Sequence, residues 1–229
     1  LCAGKKPIGV NVMVALSNYE EIVRTSVAEK VDFIISGAGL PIPLPEYVGD
    51  ADVALIPVIS SGRALEVLVR AWIRKYNRKP DAVIVEGPRC GGHLGFSLEQ
   101  LADMESCSLD KILPDAKEVL KKYDIDVPVL AAGEVACRAD VEKLLSYGYD
   151  GVQVGTFFIA TEEAGMDIKS KEFYLNSKND DVVIIKSAVG LPVRVLKSPL
   201  VERVLKGEHE HFACPYRCLR TCNPRKVPF

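Results

Sequence analysis

PVLAAGEVACRADVEKLLSYGYDGVQVGTFF, residues 128–158, decides the fold. It opens on a run, Pro128–Ala132, that is apolar at nearly every position. A strand with one wet face would alternate; a continuous run belongs to a strand covered on both faces, as in a parallel sheet. An amphipathic stretch, Arg138–Tyr147, follows, and then a second apolar run, Gly151–Val154. Strand, helix and strand in that order form one repeat of a parallel α/β sheet. Both runs are followed by glycine, Gly133 and Gly155, where the pattern breaks.

Working outward, the same unit recurs. Apolar runs at Ile8–Val14, Asp32–Ser36, Val53–Ile59 and Ala82–Glu86 alternate with helical patterns that include Asn18–Lys30, Ser61–Lys75 and Leu109–Tyr123. Serial βα units build either an open doubly wound sheet or a closed (β/α)8 TIM barrel. Polar and small residues gather just past the strand ends: Asn11, Ser36-Gly37, Ser60-Ser61-Gly62, Glu86-Gly87, Gly133 and Gly155-Thr156. A barrel brings those loops to one rim, where barrel active sites lie. Six strong strands against the eight of a barrel, and a start without Met, lead to an expectation. This α/β chain is a TIM barrel lacking its first two βα units, a piece of a longer protein. The barrel is expected over residues 1–207 and a Cys-rich tail over 208–229. Within the last part of the barrel, Glu162–Ser177 reads as helix, Val182–Ile185 as strand and Leu196–Lys206 as a final helix.

The chain has 229 residues, 48% of them hydrophobic, and a net charge of −2. That balance argues against a nucleic-acid or anionic-membrane surface. No apolar run reaches the ~18 residues of a membrane span. Seven cysteines, an odd number irregularly spaced, fit a reducing cytoplasmic compartment better than a disulfide framework. The expected partner is a small-molecule substrate, and a homodimer is left open.

If two strands are missing, the runs ending at Gly133 and Gly155 are strands seven and eight. Barrel phosphate sites frequently lie there, because small residues let backbone N–H groups reach an anion. Gly133, Gly155 and Thr156 are therefore phosphate candidates; tight turns alone would also explain the glycines. EGPRCGGHLG, residues 86–95, is not a dinucleotide G-x-G-x-x-G fingerprint. Its Gly91 and Gly92 would let a flat ligand lie on bare backbone. His93 then serves either as a general base or hydrogen-bond donor, or as a loop residue capping a carbonyl. Asn11 and Gln153 sit inside apolar strands, and a buried amide needs partners, from a ligand or a neighbouring strand. Cys214, Cys218 and Cys222, with His209 and His211 nearby, lack C-x-x-C spacing, so packed or free thiols are preferred to a metal site.

The chain resembles the nitronate monooxygenase family, formerly called 2-nitropropane dioxygenases, which includes the FMN-dependent enoyl-ACP reductases. The carriers are GVNVMV, DFIISGAGLP, RCGGHLG, PVLAAGEV, GVQVGTFFIAT, KSAVGLPVRVLKS and CLRTCNP, over nearly the whole chain. The resemblance implies a (β/α)8 barrel with non-covalent FMN at its C-terminal rim. Gly133, Gly155 and Thr156 would hold the phosphate, and Asn11, Gln153, Gly91 and Gly92 would lie near the flavin. His93 would be the catalytic histidine. The implied activity is oxidation of nitronates or nitroalkanes with O2. The alternatives are NAD(P)H-dependent reduction of an enoyl thioester and a non-redox barrel that binds a phosphorylated metabolite. Four residues depart from the family pattern. Arg89-Cys90 replaces an acid and a small residue, Glu134 replaces a glycine, and Phe157 replaces an arginine. A carboxylate beside a phosphate weakens binding unless it is neutralised.

Overall fold

The computed structural model describes residues 6–187, 190–208 and 218–220. All six expected strands form, as β1 (Gly9–Met13), β2 (Phe33–Gly37), β3 (Ala54–Ile59), β4 (Val83–Glu86), β6 (Val129–Ala132) and β7 (Gly151–Gln153). They make one parallel sheet in the order β1-β2-β3-β4-β6-β7. The order never reverses along the chain. A doubly wound sheet reverses at a switch point; a singly wound barrel does not. The arrangement is thus six consecutive units of a barrel-like α/β sheet, with β1 and β7 as its edges.

Helices α1 (Tyr19–Ala28), α3 (Gly62–Tyr76), α5 (Leu109–Lys122) and α6 (Arg138–Ser146) lie where the periodicity put them. Ser61 starts α3 by accepting a hydrogen bond from the Ala64 N–H, a standard N-cap. Two short helices, α2 (Leu44–Val48) and α4 (Leu98–Ala102), add to these. The apolar side chains of α1 and α3 pack on the sheet around Trp72, which is fully buried and donates its indole N–H to the Pro41 carbonyl at 3.0 Å. A second cluster joins α3 and α5 to β4 and β6 through Leu65, Val69, Ala116, Val83, Val85 and Val129. Each fully buried aliphatic side chain stabilises the fold by ~1.5–3 kcal/mol.

Three expectations need correction. The helix expected over 162–177 is shorter, α7 (Ile168–Asn176), because Gly165 and the Asp167 cap delay its start. The segment read as helix from Leu196 splits. Pro192–Leu196 is a strand, β9, and the helix α8 runs only from Pro199 to Leu205, capped by Ser198. The glycine loop is not wholly irregular either. Gly92–His93 forms a two-residue strand, β5, which pairs antiparallel with β9, and β9 pairs with β8 (Val182–Lys186). Of the Cys-rich tail, Cys218–Arg220 lies against the residues after β1. Leu219 bridges Leu16, and the Arg220 N–H donates to the Ala15 carbonyl at 2.9 Å.

Candidate active site

The sheet register places the rim. Residues paired across a parallel sheet point to the same face. Val83, Val85, Val129 and Ala131 pack on the helices. Ile84, Glu86, Ala132 and Gln153 therefore point to the opposite face, and Glu86, Ala132 and Gln153 form one row at its C-terminal end.

His93 hangs over this end of the sheet, held from two directions. In the ladder, Gly92 pairs with Arg194 and His93 with Val193, and the Leu94 N–H donates to the Pro192 carbonyl at 2.9 Å. The Arg194 guanidinium also reaches back. Its Nη1 donates to the carbonyls of Pro88 and Cys90, each at 2.7 Å, and Nη2 lies 3.5 Å from the Met104 sulfur. Gly92 has φ +82°, a conformation that favours glycine, and sits exposed. His93 is half-buried, and that burial pulls its imidazole below the usual histidine range. At pH 7 the ring is neutral, with one nitrogen free to accept a proton.

Three loops converge beside it. A Cβ on Gly91 would stand 2.9 Å from Thr156 Oγ1, so the histidine loop touches the loop after β7. A Cβ on Gly133 would stand 2.5 Å from the Cys90 sulfur, so the same loop is packed under the turn after β6. Gly133 has φ +93°, and the Cys90 thiol donates to the Ala132 carbonyl at 3.1 Å. Burial pushes that thiol up to about 12, so Cys90 is a packing group and not a nucleophile.

Among the described residues, the backbone N–H groups of Gly133, Glu134, Gly155, Thr156 and Phe157 donate to no other protein group. Nothing stands within 4 Å of a Cβ built on Gly155. This is a cradle of amide donors with open space in front, suited to an oxyanion. The first turn of α6 does not join it. Asp140 already accepts from the N–H groups of Ala136 and Cys137, at 2.9 Å each.

Glu134, the carboxylate in this cradle, faces a cation that it shares with a second carboxylate. It has φ +62°, and its Oε2 lies 3.5 Å from Arg89 Nη1, while Arg89 Nη2 bonds Glu105 at 2.6 Å. The Glu134 charge, more than any other influence, raises the Arg89 guanidinium above its ordinary range. Two of the departures from the family pattern are therefore partners in one ion pair. Phe157 is exposed and brings no charge.

The remaining candidates divide. Gln153 has its amide oxygen buried with no partner among the described residues, as a residue awaiting a donor would. Asn11 does not fit the expectation of a buried amide. It is exposed, because β1 is an edge strand and Asn11 alternates with the buried Val12 on the face away from the helices. In the strand order, β1 and β7 are the opposite edges of the sheet. Cys218 is exposed and free, whereas Cys214, Cys222, His209 and His211 lie outside the described residues. Among the described residues, no group of three or more His, Cys, Asp or Glu could hold a metal ion.

One functional candidate escaped the sequence reading. Glu86 ends β4 on the rim face with no ion pair among the described residues, and the backbone of Gly95 lies against its carboxyl. Burial pushes its carboxyl up to about 7. The Ser60 hydroxyl donates to the Gly95 carbonyl at 2.8 Å, closing the loop over it. The signal was present in the sequence. An acid closing an apolar strand run at a barrel rim is a candidate on its own.

A family model described as nitronate monooxygenase matches residues 2–225. The chain belongs to the nitronate monooxygenase family. Among its curated relatives, a (3aS,4S,5R,7aS)-5-hydroxy-7a-methyl-1-oxo-octahydro-1H-indene-4-carboxyl-CoA dehydrogenase of Mycobacterium tuberculosis is 28% identical over 202 residues. That match covers 88% of this chain and 52% of the relative. A probable nitronate monooxygenase of Staphylococcus aureus is 27% identical over 147 residues, covering 64% of this chain and 40% of the relative. Among solved structures, FabK from Thermotoga maritima superposes with TM-score 0.72 at 26% identity, covering 89% of this chain and 58% of that one. A nitroalkane oxidase from Streptomyces ansochromogenes shares the fold, with TM-score 0.63 at 22% identity and coverage of 83% and 61%. The chain spans about half the length of the first two curated relatives.

Proposed function

We propose that this chain carries the catalytic rim of an FMN-dependent nitronate monooxygenase, with His93 as its base. The observation that carries the reading is His93 itself. It is a half-buried, neutral imidazole, held by a two-strand ladder and an arginine clamp, on the loop that touches the open amide cradle. The residues present fit FMN. The cradle at Gly133, Gly155 and Thr156 suits its phosphate, Gly91 and Gly92 leave bare backbone, and the orphaned Gln153 oxygen suits an N–H donor. When bound, the flavin supplies the electron-accepting ring.

His93 handles the proton. A neutral nitroalkane gives up its α C–H proton to the free imidazole nitrogen, and the C–H electron pair becomes the C=N bond of the nitronate. A substrate supplied already as nitronate bypasses this step. We also propose that two further βα units outside these 229 residues close the barrel between β1 and β7, which would bring Asn11 toward the flavin. A cytoplasmic location and a homodimer belong to the same proposal. The described residues include no helix long and apolar enough to cross a membrane.

A second reading is favoured by a specific observation. FabK belongs with the enoyl-ACP reductases named in the resemblance, and the M. tuberculosis relative is named for a CoA thioester. The full-length protein separates the two. Oxygen consumption with a nitronate supports the first reading. Turnover only with NADH and an enoyl thioester replaces it with the second. A colourless protein without absorbance near ~450 nm, and unable to take up FMN, fits a non-redox barrel and overturns both.

A further inference from the structure

We infer that Arg89 is the cation of the phosphate cradle, and that Glu134 holds its place until a phosphomonoester arrives. This rests on the flavin reading above. Residues 133–137 and 155–158, which form the cradle turns, contain no Lys or Arg. Arg138, which follows them, is turned outward to Glu142 at 2.7 Å and is almost fully exposed. Arg89 is the cation that reaches the cradle. Its neighbour Cys90 is packed under Gly133, Gly91 touches Thr156, and its own Nη1 faces the carboxylate carried by the cradle residue Glu134.

The two ion pairs of Arg89 are unequal. Glu105 is held at 2.6 Å and Glu134 at 3.5 Å. Glu105 orients the guanidinium and leaves the Glu134 edge loosely engaged. A guanidinium has five N–H donors in a planar fork that matches a phosphate. A phosphomonoester carries close to two negative charges against one on Glu134. The phosphate would take the Arg89 edge, and the Glu134 carboxylate would swing to solvent. The charge that other members carry after Gly-Thr is thus supplied from a different loop.

The alternative is that Arg89 only cancels Glu134. A double-mutant cycle on the full-length apoprotein separates them, reading FMN and riboflavin dissociation constants by quenching of flavin fluorescence. Direct contact predicts that Arg89→Met weakens FMN by about 10- to 100-fold and leaves riboflavin, which lacks the phosphate, within about twofold. Glu134→Gln tightens FMN, and the double variant stays as weak as Arg89→Met. Arg89→Lys, which keeps the charge without the fork, falls between. A double variant restored to the wild-type FMN constant overturns the inference, because Arg89 then acts only through Glu134. Equal weakening of FMN and riboflavin by Arg89→Met also overturns it, because the loop itself has failed. If the wild-type protein binds neither flavin, the flavin reading falls and this inference with it.

Discussion

Arg194→Met removes the clamp on the histidine loop, and its effect follows from the geometry. The guanidinium makes two hydrogen bonds of 2.7 Å, to the Pro88 and Cys90 carbonyls, from a half-buried position. A hydrogen bond from a charged donor is worth ~1.5–3 kcal/mol. Partial exposure favours the lower end, so the loss is about 3 kcal/mol in all. At ~2–4 °C per kcal/mol for a domain of this size, Tm falls by about 6 °C or more. The larger effect is on turnover. The freed loop carries His93 two residues beyond Gly91, and slack of ~1 Å at a catalytic group costs ~10²-fold. Arg194→Lys can satisfy one carbonyl well but not both, and falls between. The assay pairs thermal unfolding with kcat/KM for a neutral nitroalkane. A lowered Tm with unchanged kcat/KM would show that the clamp supports the fold without aiming His93.

Two other outcomes follow from single residues. Glu86 has its carboxyl raised by burial from 4.5 to about 7. The native state therefore holds a proton that the unfolded state releases, so the stability this proton contributes is full below pH 4.5 and is lost as pH rises towards 7. The loss is about 3 kcal/mol at most. In denaturant titrations at pH 5, 6, 7 and 8, Glu86→Gln should flatten that slope relative to wild type; parallel curves would show that Glu86 is ionised throughout. Gly133→Ala places a methyl at 2.5 Å from the Cys90 sulfur on a φ of +93°. It should cost ~2–4 kcal/mol, and adding Cys90→Ala should recover part of it by denaturant titration. No recovery would mean that strain at φ, not the sulfur, sets the cost.

The legible parts of this fold are those encoded locally. Six apolar runs announced six strands because a continuous apolar pattern is contained within each run, and Ser61 marked the start of α3 within four residues of the donor it caps. What escaped the sequence depends on distant partners. Gly92–His93 is a strand only because Pro192–Leu196 lies beside it, some hundred residues later in the chain. Leu196 reads as the start of the last helix because it lies three residues before Pro199, whereas it is the last residue of a strand paired with Val182. Arg89 and Glu134, each odd alone, make sense as a pair separated by 45 positions. Asn11 is exposed where the apolar run implied a buried amide, because at the β1 edge of this sheet one face is open. Glu86 is legible from its place at the end of an apolar run, but its burial depends on the Gly95 loop folding back over it.

His93 is proposed as the base of a nitronate-forming site. That role is tested most directly by one ratio in the full-length protein: kcat/KM for a neutral nitroalkane over kcat/KM for its preformed nitronate, in wild type and His93→Asn. The substitution should lower nitroalkane turnover by ~10²–10⁴ and nitronate turnover far less, so that the ratio collapses. Equal losses on both substrates, leaving the ratio unchanged, would contradict it.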